Sequence, residues 1–221
     1  MVGPPLTPHA AVAVDLIILS VRARALQTLL VKLRTGPYAG RWSFPGGLVG
    51  VRESLDGAAA RELQRLTSRG GAYMEQLRTF GDPDRDPRAR VVSTAYLALL
   101  PRSDSVRESE KYGAARWWRA RRLPRLAYDH AAMARCALDR LRAKVEYTNI
   151  VYGLLPRTFT LSELQEIYEI IVGHRLDRRN FRKKLLGTKL LCPLAAQRRG
   201  PHRPATLYRF TRRRLMTVEM L

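Results

Sequence analysis

Cysteine, acidic residues, lysine and long apolar runs are all scarce in this chain, and each scarcity excludes something. The 221 residues hold two cysteines, Cys136 and Cys192, neither with a second Cys or a His at a metal-ligand spacing. That excludes a disulfide-stapled scaffold and a thiolate metal site, and it leaves both thiols as reduced packing residues. Apolar runs such as 10–14 and 16–19 fall far short of the ~18 residues a membrane-crossing helix requires. Residues 1–8 (MVGPPLTP) carry neither the basic start nor the apolar stretch of a secretory signal, so a cytoplasmic protein with no membrane partner is expected.

Acidic residues number 19 against 40 Lys and Arg, a formal net charge of +21, and only six of the cations are lysines. Such a surplus favours a polyanionic partner. Because arginines run along the whole chain, their distribution carries more weight than their number. From residue 170 to the end there are fourteen basic residues and two acidic ones, Asp177 and Glu219. A general taste for arginine does not strip out the acids, so this segment is read as a surface for nucleic acid.

Apolar and turn patterns divide the chain in two. Residues 11–21, 28–34, 76–81, 91–100 and 114–119 read as strands, and 54–68 reads as a helix with Ser54 as its N-cap and Gly70-Gly71 as its stop. This is an α/β arrangement. Residues 128–147 repeat Met133, Ala134, Ala137, Leu138, Leu141 and Val145 at helical spacing, a long amphipathic helix that connects the two parts. The expected domains are 1–145 and 146–221. In the second, Thr160 caps a helix over 161–172 with Glu163 at the capping-box position, and Gly173 stops it. Asp177 caps a third helix over 178–186 with Gly187 as its stop, and strands at 190–194 and 206–210 flank a basic, Pro/Gly-rich loop.

Helix, glycine-containing turn, capped basic helix and basic strand-loop-strand succeed one another in the order of a winged helix-turn-helix. The second helix carries Arg178, Arg179, Asn180, Arg182, Lys183 and Lys184, while Phe181, Leu185 and Leu176 share an inward spacing. Arg and Asn side chains reach base edges in a major groove and Lys neutralises phosphate, so double-stranded DNA is the expected partner. Arg198, Arg199 and Arg203 in the loop are expected on phosphates or in the minor groove.

The first domain holds a second motif. Gly47, then five residues, Glu53, then seven residues, Arg61 and Glu62 match the opening of the Nudix box, G-x5-E-x7-R-E-U-x-E-E-x-G-U with U apolar. The resemblance implies an α/β/α sandwich in which box glutamates hold Mg²⁺ against a diphosphate. A hard divalent ion requires several oxygen ligands converging from one helix face. Here the two metal-binding glutamates are replaced by Arg65 and Leu66, and the closing Gly and apolar residue by Ser68 and Arg69. The expectation is therefore a Nudix fold without catalytic residues, without a metal ligand set and with no required cofactor, Mg²⁺ included. Arg52, Arg61, Arg65 and Arg88 suit a diphosphate directly, and Trp42, Phe44 and Phe80 are candidates for stacking on a base.

Taken whole, the chain resembles the Nudix-related transcriptional regulators of NAD metabolism, the NrtR type. The resemblance rests on Trp42-Ser43-Phe44-Pro45-Gly46-Gly47-Leu48-Val49, on Thr79-Phe80-Gly81-Asp82-Pro83-Asp84-Arg85-Asp86-Pro87-Arg88 with Val91-Val92-Ser93, and on Ala127-Tyr128-Asp129-His130. Lys144-Val145-Glu146-Tyr147-Thr148-Asn149 and Leu176-Asp177-Arg178-Arg179-Asn180-Phe181-Arg182 extend it into the second half. It implies a bacterial, homodimeric, nucleoid-associated repressor. The Nudix domain of such a protein senses ADP-ribose or a related NAD metabolite, and its winged helix binds a palindromic operator. The alternative is an active Nudix hydrolase, an ADP-ribose pyrophosphatase with an accessory C-terminal domain.

Overall fold

The computed structural model describes residues 9–67, 73–107, 110–198 and 204–218. Strand β1 (Ala11–Arg22) is the spine of a mixed sheet, with every residue from 13 to 20 buried. Covered faces on both sides explain why its sequence is a nearly continuous apolar run rather than an alternation. Strand β2 (Ala25–Leu33) returns antiparallel to β1, and β3 (Trp42–Ser43) and β4 (Gly46–Leu48) pair with β2 and β1. Helix α1 (Leu55–Leu66) comes next, opened by Ser54, whose hydroxyl accepts the Gly57 N–H at 3.0 Å. Strand β5 (Tyr73–Phe80) runs antiparallel to β6 (Val91–Leu99), β6 runs parallel to β1, and β7 (Tyr112–Arg119) closes the edge beyond β2.

The sheet has helices on both faces. Ala58, Ala59, Leu63 and Leu66 of α1 bury against Val14, Leu16, Ile18, Leu29 and Tyr96 on one side. Helix α2 (His130–Tyr147) lays Met133, Ala134, Ala137, Leu141 and Val145 on Ile17, Leu19, Leu97 and Leu99 on the other. The expected Nudix sandwich is thus built by the 2-period of the strands and the 3.6-period of two helices. Helix α2 starts at His130, two residues later than the spacing indicates. Tyr128 has a left-handed φ of 52°, and the Asp129 carboxylate makes no cap bond because Arg85 takes both its oxygens.

A 3₁₀ turn (Ile150–Gly153) joins α2 to the C-terminal part. A Cβ at Gly153 would lie 2.8 Å from the Leu99 Cβ and 3.0 Å from the Tyr73 Cβ, so only glycine lets this turn seat on the sheet. Helix α3 (Leu161–Val172) has the full reciprocal capping box of Thr160 and Glu163, and Gly173 ends it in the left-handed region at φ 88°. Helix α4 (Arg178–Gly187) opens on Asp177, which accepts the Asn180 N–H at 2.7 Å. Strands β8 (Leu191–Arg198) and β9 (Ala205–Phe210) form the antiparallel wing.

Two local expectations need correction. Gly187 does not stop α4: it is the last helical residue, and Thr188 closes the helix by giving its N–H to the Leu185 and Leu186 carbonyls, with positive φ only at Lys189. The first wing strand reaches Arg198 rather than ending at 194. Ser68, Arg69 and the Gly70-Gly71 stop lie outside the described residues. One apolar cluster runs from Leu19 and Leu97 through α2 to Ile150, Leu154, Ile167, Tyr168, Phe181 and Phe210, so sheet, connecting helix and winged helix share a core.

Candidate functional site

A cleft of about 720 Å³ opens between β4, the second half of α1, the 85–91 segment and the residues entering β7. Its floor is a buried polar network. Asp15 accepts a hydrogen bond from Ser93 Oγ at 2.6 Å, and Arg85 Nη2 lies 3.5 Å from the same carboxylate oxygen. Arg85, with its side chain 4% exposed, forks onto Asp129 at 3.0 and 2.8 Å. His130 Nδ1 accepts the Phe44 N–H at 2.9 Å, which places a ring proton on Nε2, 3.4 Å from Asp15 Oδ1. Burial pushes the Asp15 carboxyl up, but the neighbouring His130 ring, Ser93 and Arg85 outweigh it and hold the group below its ordinary value.

The wall is formed by the box residues. Glu62 is wholly buried and accepts from Arg61 Nη1 at 2.5 Å, Arg65 Nη1 at 2.9 Å and Lys111 Nζ at 2.9 Å. Glu53 accepts from Arg61 Nε at 2.7 Å and from the Gly50 N–H at 3.0 Å, and these bonds pull its carboxyl down to about 2. Gly47 passes directly over this cluster: a Cβ there would meet Glu62 Oε1 at 2.6 Å and Lys111 Nζ at 2.8 Å. Leu66 is fully buried beneath α1 and faces the core, not the cleft.

The expected effector residues divide. Arg61, Arg65, Arg88 and Phe44 line the cleft. Arg88 is held by Asp86 at 2.8 Å, which keeps its guanidinium above its ordinary value. Phe44 presents little surface, being 2% exposed and stacked on His130 at 5.5 Å. Trp42 and Phe80 do not line it: Trp42 meets Trp118 edge-on at 5.4 Å, and Phe80 is buried under Arg78, both serving the core. Arg52 is exposed and off the cleft. The aromatic side chains that do border the opening are Tyr112 and Tyr128, and Tyr128 is met by Tyr38 at 4.6 Å. Box spacing pointed to neither tyrosine, nor to Lys111, Asp15, Arg85 or His130 as cleft residues. The available signal was a lysine in a chain whose cations are mostly arginine, and polar residues inside strongly apolar strands.

The second surface is α4. Phe181 and Leu185 are buried against α3, with Phe181 edge-on to Tyr168 at 5.2 Å. This leaves Arg178, Arg179, Asn180, Lys183 and Lys184 exposed on the other side. Arg182 is half-buried and donates to Ser162 Oγ at 3.1 Å; burial and the neighbouring Arg178 lower its affinity for the proton. Arg198, at the end of β8, pairs with Glu163 of the capping box. Arg199 and Arg203 lie outside the described residues.

Comparison with known proteins matches both halves of the chain. Residues 9–140 match the NUDIX domain family, and residues 151–210 match the NrtR DNA-binding winged helix domain. The chain is 35% identical over 208 residues to the ADPR responsive transcriptional repressor NtrR of Acinetobacter baylyi, covering 92% of this chain and 83% of that protein. It resembles the crystal structure of Shewanella oneidensis NrtR complexed with a 27mer DNA at a TM-score of 0.80 and 29% identity, covering 90% and 93% of the two chains. The NUDIX domain of Shewanella oneidensis NrtR complexed with ADP ribose matches at a TM-score of 0.55 and 29% identity, over 63% of this chain and 94% of that one.

Proposed function

The chain belongs to the NrtR family of Nudix-related transcriptional regulators, and from that premise we propose how it works as a ligand-responsive repressor. The observation that carries the reading is the union, over one core, of a cation-lined cleft and a basic helix held outward by Phe181 and Leu185. Residues 1–145 form the sensor and 146–221 the DNA reader. ADP-ribose is the effector: its diphosphate meets Arg65 and Arg88 beside the Arg61-braced wall, and its base stacks on Tyr128 rather than on Trp42 or Phe80.

On the DNA side, Arg179, Asn180 and Lys183 point furthest from the core and enter the major groove, flanked by Arg178 and Lys184. Arg182, tied to Ser162 of α3, supports them from its own helix. A palindromic operator requires a homodimer, because two identical helices must meet half-sites about one helical turn apart or a multiple of it. The site of action is the cytoplasm, on the nucleoid.

The protein is a regulator rather than a hydrolase. With Arg65 in the cleft and Leu66 in the core, the box lacks the convergent carboxylates that a diphosphatase needs. Incubation of ADP-ribose with the protein and Mg²⁺ or Mn²⁺ is expected to give negligible product. Robust turnover abolished by Glu62→Gln would install the hydrolase reading instead.

Helix α2 lies under the sheet and against α3, so it is the element that carries ligand state to the spacing of the recognition helices. Coupling of this kind is typically about 1–3 kcal/mol and is reciprocal. Calorimetry of ADP-ribose with and without saturating operator tests it. DNA is expected to weaken the ligand by the factor that ligand weakens DNA, and equal affinity in both titrations would remove ADP-ribose as the effector.

A further inference from the structure

The Nudix box of a hydrolase gathers carboxylates around a divalent cation, but the groups present in this cleft do not fit one. Both oxygens of Glu62 are already engaged by three cations, at 2.5, 2.9 and 2.9 Å. Glu53, the other box carboxylate, is spent on Arg61 and the Gly50 N–H. Among the described residues no group of three His, Cys, Asp or Glu side chains converges as a metal site. Mg²⁺ demands near-octahedral oxygen ligation, and three fixed positive charges at its former carboxylate repel it.

We propose that this cluster takes over the work of the missing ion: Glu62 is a template that holds Arg65 and Lys111 as the diphosphate-binding cations, and Lys111 is a ligand-binding residue. The proposal rests on the reading of the cleft as a nucleotide site. Two carboxylates face three cations, so the cluster keeps one net positive charge, and all three cations line the cleft.

The donors that remain identify the two residues. Arg61 commits four of its five N–H groups, two to Glu53, one to Glu62 and one to the Leu48 carbonyl, so it chiefly braces the two carboxylates. Arg65 uses one N–H on Glu62, and its side chain is 43% exposed. Lys111 gives one N–H to Glu62 and one to the Gly46 carbonyl, which leaves one of three for a phosphate oxygen, at 35% exposure. A buried carboxylate beneath and open donors above form a pre-organised anion site, with no ordering step left to the ligand.

The test is isothermal titration of the full chain with ADP-ribose and, separately, with inorganic pyrophosphate, each in EDTA and in Mg²⁺. Wild-type affinity for both ligands is expected to be unchanged by EDTA. Lys111→Met and Arg65→Gln are each expected to weaken both ligands about tenfold or more, the loss of a charge-assisted hydrogen bond. Lys111→Arg is expected to stay within about threefold of wild type, since it keeps a charged donor. Thermal melting near the wild-type value identifies variants that are folded, and Arg65→Gln, on an exposed side chain, provides an arm that does not disturb the β7 entry.

If pyrophosphate behaves as expected while ADP-ribose does not bind, the cation cluster stands and the effector assignment fails. If ADP-ribose binds wild type and both variants equally, the effector assignment stands and the cluster proposal is overturned. Binding that requires Mg²⁺, or no binding of either ligand, overturns it as well.

Discussion

Replacing Arg85 by methionine probes the buried network on the cleft floor. The guanidinium is 4% exposed, forks onto Asp129 at 3.0 and 2.8 Å, and stands 3.5 Å from Asp15. Methionine refills much of the volume but orphans Asp129 and takes from Asp15 one of its three partners, leaving Ser93 and His130. Removing one partner of a buried ion pair destabilises by about 3–5 kcal/mol, and because Asp129 keeps some access to water the lower end applies. For a chain of this length each kcal/mol shifts Tm by about 2–4 °C, so a fall of about 6–12 °C is expected by circular dichroism. Adding Asp129→Asn removes one orphaned charge and is expected to recover part of the loss, a coupling of about 0.5–3 kcal/mol. The pH dependence has a definite sign. The folded Asp15 carboxyl lies below its ordinary value, so its contribution is present above about pH 4 and is lost as pH falls through the folded value. Arg85 is one of the groups holding it down. The gap between wild type and Arg85→Met is therefore full above about pH 4 and narrows below it. A drop of under about 2 °C with no coupling to Asp129→Asn would refute the account of a charge network closed by Arg85.

Three further substitutions address the DNA-reading half. Phe181→Ala removes the 6%-exposed ring that seats α4 on Tyr168; it is expected to destabilise by about 3–5 kcal/mol in denaturant titrations, with loss of operator affinity in gel shifts. Thr160→Ala breaks the capping box of α3 and frees Glu163 toward Arg198; about 0.5–2 kcal/mol is expected from the same titrations. Gly173→Ala forces a side chain into φ 88° and to within 2.9 Å of the Arg121 guanidinium, whose far end can swing away; the backbone strain of about 1–2 kcal/mol remains and is read from the thermal midpoint.

The elements were legible wherever one local rule sufficed. The run 11–21 announces a strand covered on both faces, and Thr160 with Glu163 announces the first turn of α3. Gly187 misled because the helix end depends on the Thr188 hydroxyl, which bonds the Leu185 carbonyl at 2.6 Å and makes a glycine unnecessary. Box spacing identified Arg61 and Glu62 of the cleft and Glu53 behind them, since these share α1 and its lead-in. It was silent on Asp15 of β1 and Lys111 at the entry to β7, which are brought in through sheet register that no local pattern encodes. The aromatic candidates failed for a related reason: Trp42 and Phe80 flank the box in sequence, but strand alternation turns them to the α2 side.

The continuous core between sheet, α2 and winged helix bears on what becomes of this regulator when the chain is cut. A liberated C-terminal piece would be a repressor deaf to its metabolite, silencing its genes whatever the cell's supply. Such a piece would expose Ile150, Val151, Leu154 and the seat of Gly153, all covered in the intact chain by α2, Tyr73 and Leu99. Less than ~80 residues with part of their core stripped away fold poorly, and unfolded chains are removed by proteases. Nicking therefore ends in derepression and disposal, not in permanent silencing, because hearing and speaking are folded from the same interior.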